Sequence, residues 1–223
     1  MATIKNDLTK TFLLDDNKQE ITRLLKSTAD TYRPYDPGQY LYNLVIDFPK
    51  ESRFSEKFIE LTYTTLISWN MNQRGAKLSD YDLYMKSLIE NKNLIQSLQN
   101  ERIEKIDNVN EILQSLKHLF ENLKLVAKDK PKLVTFSKTL HFFLPNLLMP
   151  IDRSYTIRFF YKNTGVPQAD EKQFEMYKDI FLQFRQLSMS YDFELHLDNK
   201  WNRNIPKMID NLVIAYIKRE RQI

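Results

Sequence analysis

The sequence predicts an all-α protein, a multi-helix array that forms one helical domain over residues 1–223. Three observations support this class. Apolar residues recur at three- and four-residue spacing through most segments, which is the period of a helix with one buried face. Segments that alternate apolar and polar residues, as strands do, are rare. Glycine is scarce, with three residues in the chain.

The first 69 residues contain two predicted helices with different faces. Helix 16–28 has a narrow apolar stripe that includes Ile21 and Leu24. A turn-rich loop over 32–38 and a short apolar element over 40–48, which stops at Pro49, follow it. Helix 55–69 is apolar on most sides, so we expect it and its Trp69 to be mostly buried.

The rest of the chain is predicted to be helical at 79–90, 108–126, 131–144, 153–163, 170–190 and 206–221. Pro131 suits the first position of a helix. Asp152 is predicted to cap helix 153–163, and Gly165 to end it.

Composition excludes several classes of site. Cysteine is absent, which rules out disulfides, thiolate zinc sites and cysteine catalysis. Three glycines cannot form the glycine-rich phosphate-binding loops of nucleotide-binding folds. We predict no metal and no cofactor.

The N-terminal residues contain no apolar run of the kind that signal peptides have. The longest apolar stretch, 133–151, is interrupted by Lys138, His141 and two prolines, which argues against a membrane span. We therefore expect a soluble, cytoplasmic protein. The sequence does not predict its oligomeric state.

A polar cluster ends the apolar helix at Trp69, and it includes Asn72 and Arg74. One interpretation is a helix C-cap, with Gly75 in a left-handed conformation and Arg74 bound to the last carbonyls. The other is a ligand-binding corner, in which Arg74 meets an anion and Trp69 offers a stacking surface.

A second cluster lies in the apolar helix 131–144, which carries Lys138 and His141 on one face. A buried lysine is costly without a counter-charge, and Asp152 is the nearest carboxylate along the chain. We predict that Lys138 and Asp152 meet in space and that at least one of them faces a cleft. The alternative is structural: Asp152 caps a helix, Lys138 reaches water, and His141 binds a backbone carbonyl.

These segments, W-x-M-N-x-R-G-A-x-L at 69–78 and S-K-x-L-H…P-x-D-R-x-Y-T at 137–156, resemble a family of prokaryotic proteins of uncharacterised function. The second segment also resembles, distantly, the helix-hairpin-helix DNA glycosylases. That resemblance implies two helical lobes around a cleft, with Lys138 at the position of the nucleophilic lysine and Asp152 at that of the catalytic aspartate. The chain departs from the glycosylase pattern in two ways: residues 133–136 contain no glycine, and Lys138 lies closer to Asp152 along the chain.

Three functions remain open at this stage, and the sequence leaves undecided whether the protein is an enzyme. The first is a nucleic-acid-associated protein with catalytic Lys138 and Asp152. The second is a structural or partner-binding helical domain. The third is a protein that binds a nucleotide-like or anionic small ligand. The residues expected to bind ligand or nucleic acid are Trp69, Asn72, Arg74, His141, Arg153 and Tyr155, with Phe142 as a further aromatic wall.

DNA is the partner that the sequence favours. The net charge of +4 and the pI near 9.0 permit nucleic-acid binding without requiring it. A basic run, 128–132, lies at the start of helix 131–144, and basic side chains there would add to the backbone amides that a helix N-terminus offers to phosphate. Arg153 and Arg158 would contact further phosphates. We expect weak binding that does not depend on DNA sequence.

Overall fold

The computed structural model describes residues 3–13, 18–31, 37–72, 77–198 and 200–221. Over these residues the protein is all-α, as predicted, and its one β-type contact is an isolated bridge between Leu78 and Val126. The described α-helices are α1 (Leu8–Leu13), α2 (Lys18–Thr31), α3 (Pro37–Ile46), α4 (Glu56–Ser68), α5 (Tyr81–Glu90), α6 (Lys92–Ser97), α7 (Val109–Asn122), α8 (Leu133–Phe143), α9 (Arg158–Tyr161), α10 (Asp170–Ser190) and α11 (Ile205–Glu220).

Helix α8 lies at the centre of the fold. All eleven of its residues are buried, because its sequence is apolar or small around most of its circumference. It contacts α4 and α10. Lys138 and His141 therefore need hydrogen-bond partners inside the protein, since an unpaired buried polar group is costly.

Helix α11 is the second element with a largely buried surface. It packs chiefly against α2 and also contacts α10 and the π-helical turn Arg153–Ile157, which leads into α9. Its buried residues include Lys207, Asp210 and Asn211 among apolar side chains. Thr28 Oγ1 donates to the Asn211 carbonyl at 3.1 Å and so links α2 to α11.

Two helix ends differ from the prediction. The left-handed residue that follows α4 is Asn70, with φ 60°, and asparagine tolerates this region; Gly75, the predicted residue, lies outside the described residues. The Met71 N–H donates to the Leu66 carbonyl at 3.1 Å, which completes a Schellman motif. Helix α9 ends at Lys162, with φ 56°, and not at Gly165.

Three helices were not predicted as such. Helices α1 and α6 have six residues each, too few to show a helical period. Helix α3 replaces the short apolar element, and it starts at Pro37 because proline suits the first turn of a helix. Helix α8 begins two residues after the predicted Pro131. No helix within the described ranges is long and apolar enough to cross a membrane.

Candidate functional site

A cavity of about 430 Å³ opens between α3, α4, α8, the turn Arg153–Ile157 and α11. Pockets that bind small molecules typically measure roughly 300–1,000 Å³, so a small organic molecule fits this one. The charged residues that line it are Lys138, Asp152, Lys207 and Asp210. The aromatic ones are Tyr42, Trp69, Tyr155 and Trp201.

Lys138 and Asp152 meet in this cavity, so the predicted juxtaposition is confirmed. Lys138 Nζ lies 3.3 Å from Asp152 Oδ2, and the two side chains are 10% and 35% exposed. The chain reverses direction after α8, which returns Asp152 to the side of that helix. The ion pair is therefore shielded at the lysine and open at the carboxylate. The catalytic roles proposed for these two residues stay predictions.

Asp152 also organises the turn that it begins. Its Oδ1 accepts a hydrogen bond from the Ser154 N–H at 2.7 Å, which makes it the predicted helix cap. Its own N–H donates to Thr156 Oγ1 at 3.1 Å, and that hydroxyl donates to Asp210 Oδ1 at 3.4 Å. Thr156 thus links the backbone of Asp152 to the carboxylate of Asp210.

Lys207 and Asp210 form a second ion pair, which the sequence analysis missed. Lys207 Nζ lies 2.6 Å from Asp210 Oδ2, one turn apart on α11. Burial raises the pKa of the Asp210 carboxyl, and the charge of Lys207 opposes that shift. The available signal was a lysine and an aspartate three residues apart in an apolar helix, the same signal that pointed to Lys138.

Trp69 forms one wall of the cavity and, as predicted, is mostly buried against the core. Its indole packs on Tyr42 at 6.1 Å between ring centroids and on Phe142 at 5.3 Å. Lys138 Nζ lies 5.5 Å from the centroid of the Trp69 ring, within cation–π range. Phe142 is fully buried and does not line the cavity, contrary to the prediction.

Behind this wall, Tyr42 connects the cavity to a buried histidine. His141 Nδ1 lies 2.6 Å from the Leu148 carbonyl oxygen, which can only accept, so Nδ1 carries the proton. His141 Nε2 then accepts from the Tyr42 hydroxyl at 3.0 Å, and that hydroxyl accepts from Asn204 Nδ2 at 3.1 Å. Burial lowers the pKa of His141 to about 3. Through these hydrogen bonds the neutral His141 ring on α8 is connected to Tyr42 on α3 and, through Tyr42, to Asn204 at the start of α11.

Three residues predicted to bind ligand do not line the cavity. His141 is buried behind Tyr42, as described above. Asn72 Oδ1 accepts from the Leu78 N–H at 3.3 Å, because the segment after α4 needs a side chain to satisfy its backbone. Arg153 Nε donates to the Thr164 carbonyl at 2.8 Å, so its exposed side chain is committed to the end of α9. Arg74 lies outside the described residues.

The basic run 128–132 lines a separate groove. Lys132 Nζ lies 2.7 Å from Asp170 Oδ2, so part of the positive charge is neutralised. The backbone N–H groups of Lys132 and Leu133 both donate to Gln173 Oε1, at 2.8 and 3.1 Å. These two amides, which we expected to be offered to phosphate, are already hydrogen-bonded. DNA binding at this groove stays a prediction.

The cavity combines charge balance with aromatic walls. Two ammonium groups face two carboxylates, each within an ion pair. Such a lining offers donors and acceptors but no net charge, and it favours an uncharged polar molecule with a flat ring over a small anion. Among the residues that the structure describes, no group of three or more His, Asp and Glu side chains could hold a metal ion.

Comparisons with known proteins found no match to this chain, whether with models of protein families, with curated sequences or with solved structures.

Proposed function

We propose that the protein binds a nucleobase in the cavity at Lys138 and Asp152, carried either by a nucleoside or nucleotide or by an unpaired stretch of nucleic acid. The observation that supports this most strongly is the position of the Lys138–Asp152 pair. It opens towards a space walled by Trp69, Tyr155 and Trp201.

The two sides of the pair complement the edge of a base. Base edges carry donors and acceptors side by side. The Lys138 ammonium has three N–H donors, of which one bonds Asp152, and the carboxylate of Asp152 is an acceptor. A base that reaches both groups would place its ring among the aromatic walls, where stacking contributes roughly 1–3 kcal/mol per base.

An exposed ring on α3, the helix that contributes Gln39 to the cavity, supports an extended strand as one source of the base. Gln39 lines the cavity, and its neighbour Tyr40 is 65% exposed. A second base of a single strand could stack on this ring, as in proteins that bind single-stranded nucleic acid. A free nucleoside would not reach it.

Calorimetric titration tests the proposal and separates the two sources. The protein is titrated with the four common ribonucleosides and, separately, with single-stranded homo-oligonucleotides of six residues. We expect saturable binding of at least one nucleoside at one site per chain. Asp152→Asn should weaken it about tenfold, because a charge-assisted hydrogen bond is lost. Asp170→Asn, which breaks an ion pair outside the cavity, should not weaken it. Absence of binding in every titration would leave the polar groups with structural roles alone.

A second candidate function is cleavage of the bond between a base and its sugar. Lys138 and Asp152 support it because they lie side by side at a cavity in which a nucleoside would fit. Asp152 would stabilise positive charge at the anomeric carbon. Lys138 would pass a proton to the departing base, which also takes the electron pair of the broken C–N bond, and the resulting amine would attack that carbon while Asp152 stays ionised.

Covalent trapping tests this second function. The protein is incubated with single-stranded DNA that contains a uracil or a deaminated adenine, and borohydride is added to reduce any imine to a stable link. A covalent protein–DNA species that is absent from Lys138→Gln would support cleavage. Intact DNA and no such species would limit the site to binding.

A further inference from the structure

Arg221, at the end of α11, lies at the outer side of the cavity wall. Its guanidinium carbon is 5.6 Å from the centroid of the Tyr155 ring, and its Nη2 donates to the Ser154 carbonyl at 3.0 Å. Tyr155 in turn lines the cavity. One aromatic ring therefore separates the cavity from the Arg221 side chain.

The charge of Arg221 is uncompensated in the described structure. Its side chain is exposed, and no carboxylate of the described residues lies within 4.0 Å of it. The neighbouring Arg219 differs, since it pairs with Glu20. Inside the cavity every lysine has an aspartate partner, so net positive charge is found at its rim and not within it.

We propose that Arg221 binds a phosphate group attached to the sugar of the bound nucleoside, so that the ligand is a nucleotide or a nucleotide unit of a strand. This inference rests on the proposed function. The planar guanidinium can bind two phosphate oxygens at once. One Arg221 N–H bonds Ser154, which fixes the side chain beside Tyr155 and leaves further N–H groups to face solvent.

Titration with matched pairs of ligands tests this assignment. Each common ribonucleoside is compared with its 5′-monophosphate and its 3′-monophosphate in the same buffer. We expect one of the monophosphates to bind about tenfold more tightly than its nucleoside, the factor that a charge-assisted hydrogen bond contributes. Inorganic phosphate alone should not bind at the same concentrations, because a single exposed guanidinium holds an anion weakly unless the base anchors the ligand in the cavity.

Two variants identify the side chain responsible. Arg221→Ala should reduce the preference for the monophosphate to within about twofold, while nucleoside affinity is kept. Arg219→Ala is the control, because it removes the same charge from the same helix end, but from a side chain that is paired with Glu20. This variant should retain the preference for the monophosphate. An equal loss of affinity for nucleoside and monophosphate in Arg221→Ala would show that Arg221 only positions Tyr155, and would overturn the proposal.

The two proposals fail in different ways. If nucleosides bind and phosphate adds nothing in the wild-type protein, the Arg221 site is wrong and the nucleobase site stands. If neither nucleosides nor their monophosphates bind, the proposed function fails and the Arg221 site fails with it.

Discussion

Lys138 Nζ lies 3.3 Å from Asp152 Oδ2 although fourteen positions separate the two residues along the chain. The pair joins the buried central helix α8 to the turn that begins at Asp152. Its carboxylate side is open to the cavity, so the pair can contribute both to stability and to ligand binding. The predictions below separate these contributions.

Asp152→Asn should lower the free energy of unfolding by about 2 kcal/mol, between the costs typical of exposed and of buried ion pairs. Asparagine keeps the cap on the Ser154 N–H, because its carbonyl oxygen can accept the same hydrogen bond. Urea unfolding followed by circular dichroism measures the change. The control Asp170→Asn should alter stability by less than about 0.5 kcal/mol. A loss above about 4 kcal/mol for Asp152→Asn would show that the Lys138–Asp152 pair serves mainly to stabilise the fold.

Asp210→Asn should cost more, about 3–5 kcal/mol, because Asp210 is 3% exposed and its carboxylate neutralises the buried Lys207. The same urea experiment measures it. The loss of unfolding free energy should be largest for Asp210→Asn, smaller for Asp152→Asn and smallest for Asp170→Asn. A smaller loss at Asp210 than at Asp152 would contradict the inference that the more deeply buried ion pair contributes more to stability.

Stability should fall as the pH is lowered from 7 to 5, because His141 is buried and neutral. Its pKa is about 3 in the folded protein, against an ordinary value of 6.5, so the unfolded chain binds more protons between these values. The stability that the protein has with a neutral, buried His141 is fully present above pH 6.5 and is lost as the pH falls towards 3. We expect a loss of about 2 kcal/mol between pH 7 and pH 5.

Urea unfolding at several pH values measures this loss, and nitrogen-15 spectra of the imidazole identify the group. His141 should remain neutral, with the proton on Nδ1, at pH 5. Unchanged stability of the wild-type protein across this range would show that the imidazole titrates normally.

Tyr40→Ala should weaken binding of single-stranded oligonucleotides by roughly 1–3 kcal/mol, the contribution of one stacked base. Nucleoside affinity and stability should not change, because the Tyr40 ring is 65% exposed. Leu83→Ala, which removes an exposed apolar side chain from α5, is the control. If Tyr40→Ala affects nucleosides and oligonucleotides alike, the ring belongs to the cavity and not to a strand-binding surface.

The sequence predicted those features that depend on residues close together along the chain. Helix α10 has the predicted bounds because an amphipathic stripe runs through all of Asp170–Ser190. The Lys138–Asp152 pair was predictable because a lysine in an apolar helix requires a counter-charge, and a short turn connects it to the nearest carboxylate.

The remaining parts of the site depend on contacts between distant segments. Tyr42 and Asn204 are 162 positions apart, and no local sequence pattern predicts their hydrogen bond. Arg153 and Asn72 looked like ligand-binding residues, but each satisfies a nearby backbone group. Sequence alone does not distinguish such a role from ligand binding, because the same polar side chains serve both.

Tryptophan fluorescence tests the central claim most directly, because the chain has two tryptophans and both line the cavity. The variants Trp69→Phe and Trp201→Phe each leave one reporter, on different walls, and each is titrated with the tightest-binding nucleoside. A base held between the walls should change the emission of both variants, with saturation and with dissociation constants that agree within about threefold. Emission that stays constant, or that changes linearly without saturation in both variants, would contradict a nucleobase site in this cavity.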